Sequence, residues 1–170
     1  MTGIGTNTEN ERYMREAIKE ALKARERDEV PIGAVVVCDG RIIARAHNLT
    51  ETLSDATAHA EMQAITMAAS AVGGKYLNKC TLYVTVEPCP MCAGALVNSR
   101  IDRVVYGCKD AAAGCLGSVI DFNSYPFNHS FETASGICSR ECTELLQEFF
   151  RQKRKKTADV SVGRTGEENV

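Results

Sequence analysis

Apolar positions recur along the chain first at helical spacing and then at the alternating or continuous spacing of strands. Over residues 11–29, Met14, Ala17, Ile18, Ala21 and Leu22 fall on one stripe of a helix, and Pro31 ends the segment. Residues 32–38 are a β-branched run, Asp39-Gly40 has the sequence of a two-residue hairpin turn, and residues 41–47 return as a second strand. Residues 48–58 are polar and read as a loop. Met62, Ile65, Ala69 and Val72 form the inward stripe of a helix predicted over residues 58–71, which Gly73-Gly74 stops. A strand follows over 81–86. Pro88-Cys89-Pro90 then opens a helix through residue 99, since proline suits a first helical turn. Residues 101–106 predict another strand. The 107–139 stretch has no dominant period, with either a short helix or a strand near 130–134. Residues 140–156 form a last helix, its apolar face made of Cys142, Leu145, Leu146, Phe149 and Phe150.

This order of elements predicts an α/β protein, a mixed sheet with helices on both faces. The hairpin supplies an antiparallel pair, and the two strand–helix–strand passages supply parallel ones. Residues 11–156 read as one domain, with 1–10 and 157–170 as flexible tails.

Composition narrows the class. A chain of 170 residues that is 44% hydrophobic and 25% charged has the make-up of a globular domain, not of a disordered, fibrous or coiled-coil chain. No apolar run approaches ~18 residues, and the start lacks the basic and apolar regions of a signal peptide. A cytoplasmic protein with no membrane partner is expected. The net charge of −2 hides an asymmetry: residues 1–150 hold 14 Lys and Arg against 19 Asp and Glu, and residues 151–156 then add five cations. Such a block reads either as a solvated helix end or as a patch for an anionic partner. Eight cysteines without an export signal are expected to be mostly reduced and buried.

The exception is Cys89-Pro90-Met91-Cys92. Two cysteines three apart on a helix share a face, and a first turn favours thiolate over thiol. Alone, the pair fits a catalytic metal site, half of a structural Cys₄ site with Cys138 and Cys142, or a redox pair at a strand–helix junction. His59-Ala60-Glu61 at another helix start changes the balance. One imidazole and two thiolates make a neutral three-ligand zinc site with a fourth position open for water, and a nearby carboxylate can move that water's proton. Residues two apart on a helix point about 200° away from each other, which puts His59 at the helix mouth if Glu61 is to share its site. The pairing H-x-E … P-C-x-x-C is the signature of zinc deaminases acting on nucleobases, tRNA adenosine deaminases among them. His47 and His129 have no such context and read as structural or solvent-facing.

With these motifs the chain resembles the bacterial-type tRNA-specific adenosine deaminases of the cytidine-deaminase-like superfamily, from about residue 12 to 155. Val30-Pro31-Ile32-Gly33, Ala46-His47-Asn48, Thr57-Ala58-His59-Ala60-Glu61 and Phe127-Asn128-His129 carry the resemblance. The H-A-E and P-C-x-x-C pair is shared with cytidine, guanine and riboflavin-pathway deaminases. The run Glu87-Pro88-Cys89-Pro90-Met91-Cys92-Ala93-Gly94-Ala95 and the Phe149-Phe150 helix with its basic end point to the tRNA branch. The resemblance implies a three-layer α/β/α sandwich and a homodimer. It also implies one Zn²⁺ per chain on His59, Cys89 and Cys92, with Glu61 as proton shuttle. It further implies Asn48, Ala60, Pro88 and Asp110 as substrate contacts, and Phe149, Phe150, Arg151 and Arg154 as RNA contacts. The reaction implied is conversion of the wobble adenosine of a tRNA anticodon loop to inosine. A deaminase of a free guanine- or cytosine-type base or nucleoside is the alternative. The chain departs from the family pattern over residues 107–118, where Ala111-Ala112-Ala113 bears on loop contacts with RNA and not on the chemistry.

Overall fold

The computed structural model describes residues 6–163. Helix α1 (Asn7–Glu26) starts at a Thr6 cap, whose side chain accepts from the Glu9 N–H, and it is followed by the hairpin β1 (Gly33–Cys38) and β2 (Arg41–His47). Asp39-Gly40 closes the hairpin, with both residues at positive φ. The short helix α2 (Thr50–Leu53) leads to α3 (Ala60–Val72), β3 (Cys80–Val86), α4 (Pro90–Asn98) and β4 (Arg103–Cys108). A 3₁₀ turn at Phe122–Ser124 precedes β5 (Glu132–Ala134) and the last helix, α5 (Ser139–Gly163).

The five strands form one sheet in the order β2-β1-β3-β4-β5. β1 is antiparallel to both β2 and β3, whereas β3–β4 and β4–β5 are parallel. Four strands therefore run one way and β1 runs against them. The passage from β2 through α3 does join strands of equal direction, but β1 lies between them. The second adjacent parallel pair is β4–β5, so the element near 130–134 is a strand, Glu132–Ala134, and not a helix.

Alternation along the strands divides the core in two. Val35, Tyr83 and Val105 face α1 and α5, where they meet Tyr13, Met14, Ala17 and Cys142. Val36, Leu82, Val84 and Val104 face α3 and α4, where they meet Ala64, Ala68 and Leu96. The result is the three-layer α/β/α sandwich expected from the sequence. No helix among the described residues is long and apolar enough to cross a membrane.

Three details differ from the sequence reading. Residues 7–10 and 157–163 are helical, not tail, while 1–5 and 164–170 lie outside the described residues. The inward face of α3 is Ala60, Glu61, Ala64 and Ala68; Met62, Ile65 and Ala69 sit half-buried on the flank, and Val72 is exposed. Both stripes have helical spacing, and the alanine stripe wins because small side chains let α3 lie close on the sheet. On α5, Cys142, Leu145 and Phe149 are buried, but Phe150 is exposed.

Helix α1 lies directly on the start of β1. A Cβ at Gly33 would stand 2.0 Å from the Ala17 carbonyl oxygen and 2.4 Å from the Ala21 nitrogen, so backbone itself would have to move. Gly33→Ala is expected to cost about 2–3 kcal/mol and lower Tm by roughly 5–10 °C, read by thermal unfolding.

Candidate metal centre

β2 and β3 end at the same edge of the sheet, and each hands over there to a helix start. His59 is the N-cap residue of α3, with extended backbone; Cys89 is the N-cap residue of α4, with Pro90 in the first turn. The turn before α3 is fixed by Asp55, whose Oδ1 accepts from the N–H and the hydroxyl of Thr57, each at 2.8 Å. The start of α4 is fixed by backbone pairing of the two residues that precede Cys89. Glu87 N–H donates to the Cys108 carbonyl, and Cys115 N–H donates to the Pro88 carbonyl.

His59 Nδ1 lies 3.6 Å from Cys89 Sγ and 3.6 Å from Cys92 Sγ. The three ligand atoms all fall within 4.8 Å of one another, the single such group of metal-binding side chains among the described residues. A tetrahedral ion with bonds of about 2.0–2.1 Å to nitrogen and about 2.3 Å to sulfur separates them by about 3.6 Å, so the donors fit a bound cation. Hydrogen bonding from Cys92 and then from His59 brings the Cys89 thiol down to about 4, while Cys89 and burial push Cys92 up. The bond to Cys89 raises His59 against the effect of burial.

Glu61 enters from the first turn of α3 and is buried. Burial raises its pKa to about 7, and its Oε2 has no hydrogen-bond partner among the described residues. A buried carboxyl oxygen without a partner is costly and needs a reason. Proximity to the metal ligands supplies one: such an oxygen is free to exchange a proton with a molecule entering the site.

The other residues singled out in the sequence divide. Asn48, Ala60 and Pro88 are buried around the two helix starts. Asn48 is held close to His59 by Leu49 N–H donating to the Ala58 carbonyl, and by Gln63 Nε2, which bridges the His47 and Ala58 carbonyls. Asp110 caps its own loop by accepting from the Ala112 and Ala113 N–H groups. Phe149, expected beside Phe150 as an RNA contact, is buried; it faces the core because Cys142 and Leu145 set that side of α5 inward. Phe150, Arg151 and Arg154 instead line a cleft of about 600 Å³ with Lys109, beside the end of β4. Cys142 packs on the opposite face of the sheet from α4, which removes the Cys₄ reading. His47 pairs through Nδ1 with Glu20 at 3.1 Å, and His129 Nε2 lies 2.6 Å from the Ile101 carbonyl oxygen, so both are structural.

Two buried acids escaped the sequence reading as parts of the site's frame. Glu29 bonds to Asn48. Glu87 accepts from the N–H groups of Asp110, Leu116 and Ser118 and from the Ser118 hydroxyl, tying residues 109–118 to the junction between β3 and the helix start that carries the cysteines. Burial would raise its pKa, but these donors outweigh it and hold the carboxyl below its ordinary range.

The chain matches the family described as MafB19-like deaminase over residues 8–154. It is 54% identical to the tRNA-specific adenosine deaminase of Bacillus subtilis (strain 168) over 150 residues, covering 88% of this chain and 93% of that protein. It is 48% identical to the tRNA-specific adenosine deaminase of Agrobacterium fabrum (strain C58), covering 86% and 97%. A solved structure from biochemical and structural studies of A-to-I editing by tRNA:A34 deaminases superimposes with a TM-score of 0.77 at 48% identity. That match covers 79% of this chain and 99% of the other.

Glu87→Gln should lower stability at neutral pH by about 2 kcal/mol, because an amide puts N–H against donors that face a carboxylate. The folded pKa of Glu87 lies below the ordinary 4.5, so its contribution is present above that value and is lost as pH falls through the folded pKa. Urea unfolding of parent and variant should therefore show a gap at neutral pH that closes in acid.

Proposed function

The chain belongs to the tRNA-specific adenosine deaminases within the MafB19-like deaminases, and from that membership we propose that it hydrolyses the C6 amine of the wobble adenosine of tRNA, releasing ammonia and leaving inosine. The observation that carries this is the meeting of His59, Cys89 and Cys92 beside the unpartnered Oε2 of Glu61. His59, Cys89 and Cys92 would hold one zinc ion per chain, which would supply Lewis acidity and a water acidic enough to attack near neutral pH. Glu61 takes one proton from the attacking water and delivers it to the purine ring nitrogen, then takes the second from the new C6 hydroxyl and passes it to the amine, which leaves as ammonia while the C6 carbonyl forms.

Asn48, Ala60, Pro88 and Asp110 are the substrate contacts of this reading. Ala60 and Pro88 adjoin the ligands His59 and Cys89 in the chain, and Asn48 is pinned one residue from the Leu49–Ala58 bond. The target base must leave its stack, which costs least in a single-stranded loop. The Lys109, Phe150, Arg151 and Arg154 cleft offers cations for phosphate and an exposed ring for a base, and it adjoins the Cys108 carbonyl that pairs with Glu87. Such a cleft has no use in deaminating a free guanine or cytosine base, which disfavours that alternative. The homodimer implied by the resemblance has a candidate surface in the exposed Val119, Tyr125 and Phe127. The reaction belongs in the cytoplasm, with tRNA.

Unmodified tRNA incubated with the protein should yield inosine, read as A-to-G in the copied DNA, whereas free adenosine and cytidine run in parallel should not react. Zinc should be found at one ion per chain, retained in Glu61→Gln and lost in Cys89→Ser. Glu61→Gln should bind tRNA normally and lose at least ~10²–10⁴ in rate, because an amide cannot carry the proton. Substantial inosine from that variant would reduce Glu61 to a first-turn acid.

The basic block is not one uniform surface. Lys153 and Lys156 lie 2.8 and 3.9 Å from the Asp28 carboxylate, and Arg151 lies 3.7 Å from Glu148. Arg154 has no carboxylate partner among the described residues. Replacing Arg151 and Arg154 together by Gln should shrink the slope of log K against log salt by about 1.4 for a single-stranded RNA, measured by titration at several salt concentrations. An unchanged slope would place the RNA elsewhere.

A further inference from the structure

Glu29 lies between α1 and β1, carries no motif, and is fully buried. Its carboxylate collects four donors: Thr52 N–H at 2.6 Å, Glu51 N–H at 3.1 Å, the Thr50 hydroxyl at 3.4 Å, and Asn48 Nδ2 at 3.3 Å. Burial opposes the charge, but the backbone and hydroxyl donors outweigh it and hold the carboxyl below its usual range. An ionised carboxylate only accepts hydrogen bonds. That fixes the way the neighbouring amide must face.

Asn48 has two hydrogens on Nδ2. One goes to Glu29, and the other goes to Thr50 Oγ1 at 3.2 Å, whose own hydrogen is given to Glu29. Turning the amide over would set Oδ1 against the carboxylate with no proton between them. Both donors are thus used within the protein, and Oδ1 is the polar atom of that side chain left without a partner among the described residues. The Leu49–Ala58 bond and the Gln63 bridge tie the backbone on either side of Asn48 to the residue that precedes His59.

We propose that Glu29 is a positioning residue that locks the Asn48 amide with its carbonyl oxygen turned to the site, so that the target nucleoside is selected for an N–H or O–H donor at that point. The proposal rests on Asn48 being a substrate contact in the function given above. Two groups on adenosine supply such a donor, the exocyclic amine and the ribose hydroxyl.

The test compares the parent with Glu29→Gln, Asn48→Asp, the double variant and Thr50→Val on an anticodon stem-loop RNA, by kcat/KM for inosine formation. Glu29→Gln and Asn48→Asp should each lose ~10–100-fold, and Thr50→Val should lose ~3–10-fold. The double variant should return to within ~5-fold of the parent, since the new glutamine donates to the new aspartate and an acceptor oxygen faces the site again. A merely structural Glu29 gives no such rescue. The Asn48 side-chain amide protons, followed by NMR exchange, should be protected in the parent and lose protection in Glu29→Gln. This readout needs no activity, so a parent that makes no inosine overturns the function while the exchange comparison still decides the hold on the amide. A 2′-deoxy target that slows the parent ~10-fold but costs Glu29→Gln nothing further assigns the donor to the ribose; equal slowing of both assigns it to the amine. A double variant no better than the weaker single, or Glu29→Gln as active and as protected as the parent, overturns the proposal.

Discussion

Three ligand atoms have to meet within a few ångströms, and no one element carries all of them. Everything near the site serves that convergence. β2 and β3 run the same way, so the helices that follow them begin at one edge of the sheet, but β1 separates the two strands by roughly 10 Å. His59 can span that offset only if α3 lies low over the sheet, which the alanine stripe at 60, 64 and 68 permits. Placing His59 and Cys89 at N-cap positions then spares each side chain from pointing along its own helix wall, and the helix dipoles favour the thiolates.

Three buried glutamates surround this edge, and their partners tell them apart. Glu29 and Glu87 are each saturated by donors, and their carboxyls are held below the ordinary range. Glu61 has an oxygen with none, and its carboxyl is held high. A carboxylate whose bonds are all made can hold a loop but cannot trade protons; one left open can trade them but stabilises nothing. The fold thus separates scaffolding from chemistry by the supply of nearby N–H groups, with the same side chain in each role.

Much of the fold was legible because strong local signals agreed with the tertiary outcome. The β-branched run at 32–38, the Asp39-Gly40 turn and Pro90 at a helix start all correspond to what formed. The candidate metal group of His59, Cys89 and Cys92 was legible because such chemistry needs fixed residue types at short spacing. Less local matters were not. The face of α3 was misread because alanines and larger apolar residues repeat with the same period, and only the depth of packing chooses between them. Phe149 and Phe150 are adjacent aromatics that differ by 100° around a helix, so a pattern of types alone placed both at one surface. The anchoring parts of Glu29 and Glu87 were not legible, although Glu87 stands in the motif run: an acid near a chain turn looks solvated until distant backbone donors are brought to it.

The Glu87 anchor has a consequence for how this loop can change. A Cβ at Gly114 would stand 2.4 Å from the Glu87 carboxyl carbon, so that position has no room for a side chain. Ala111 and Ala112 are exposed. Residues 109–118 therefore behave as a cartridge with a fixed back and an interchangeable front. New side chains at 111 and 112 would leave the Glu87 anchor and the placing of Cys89 and Cys92 undisturbed, so the outer face of this loop is free to change without moving the geometry behind it.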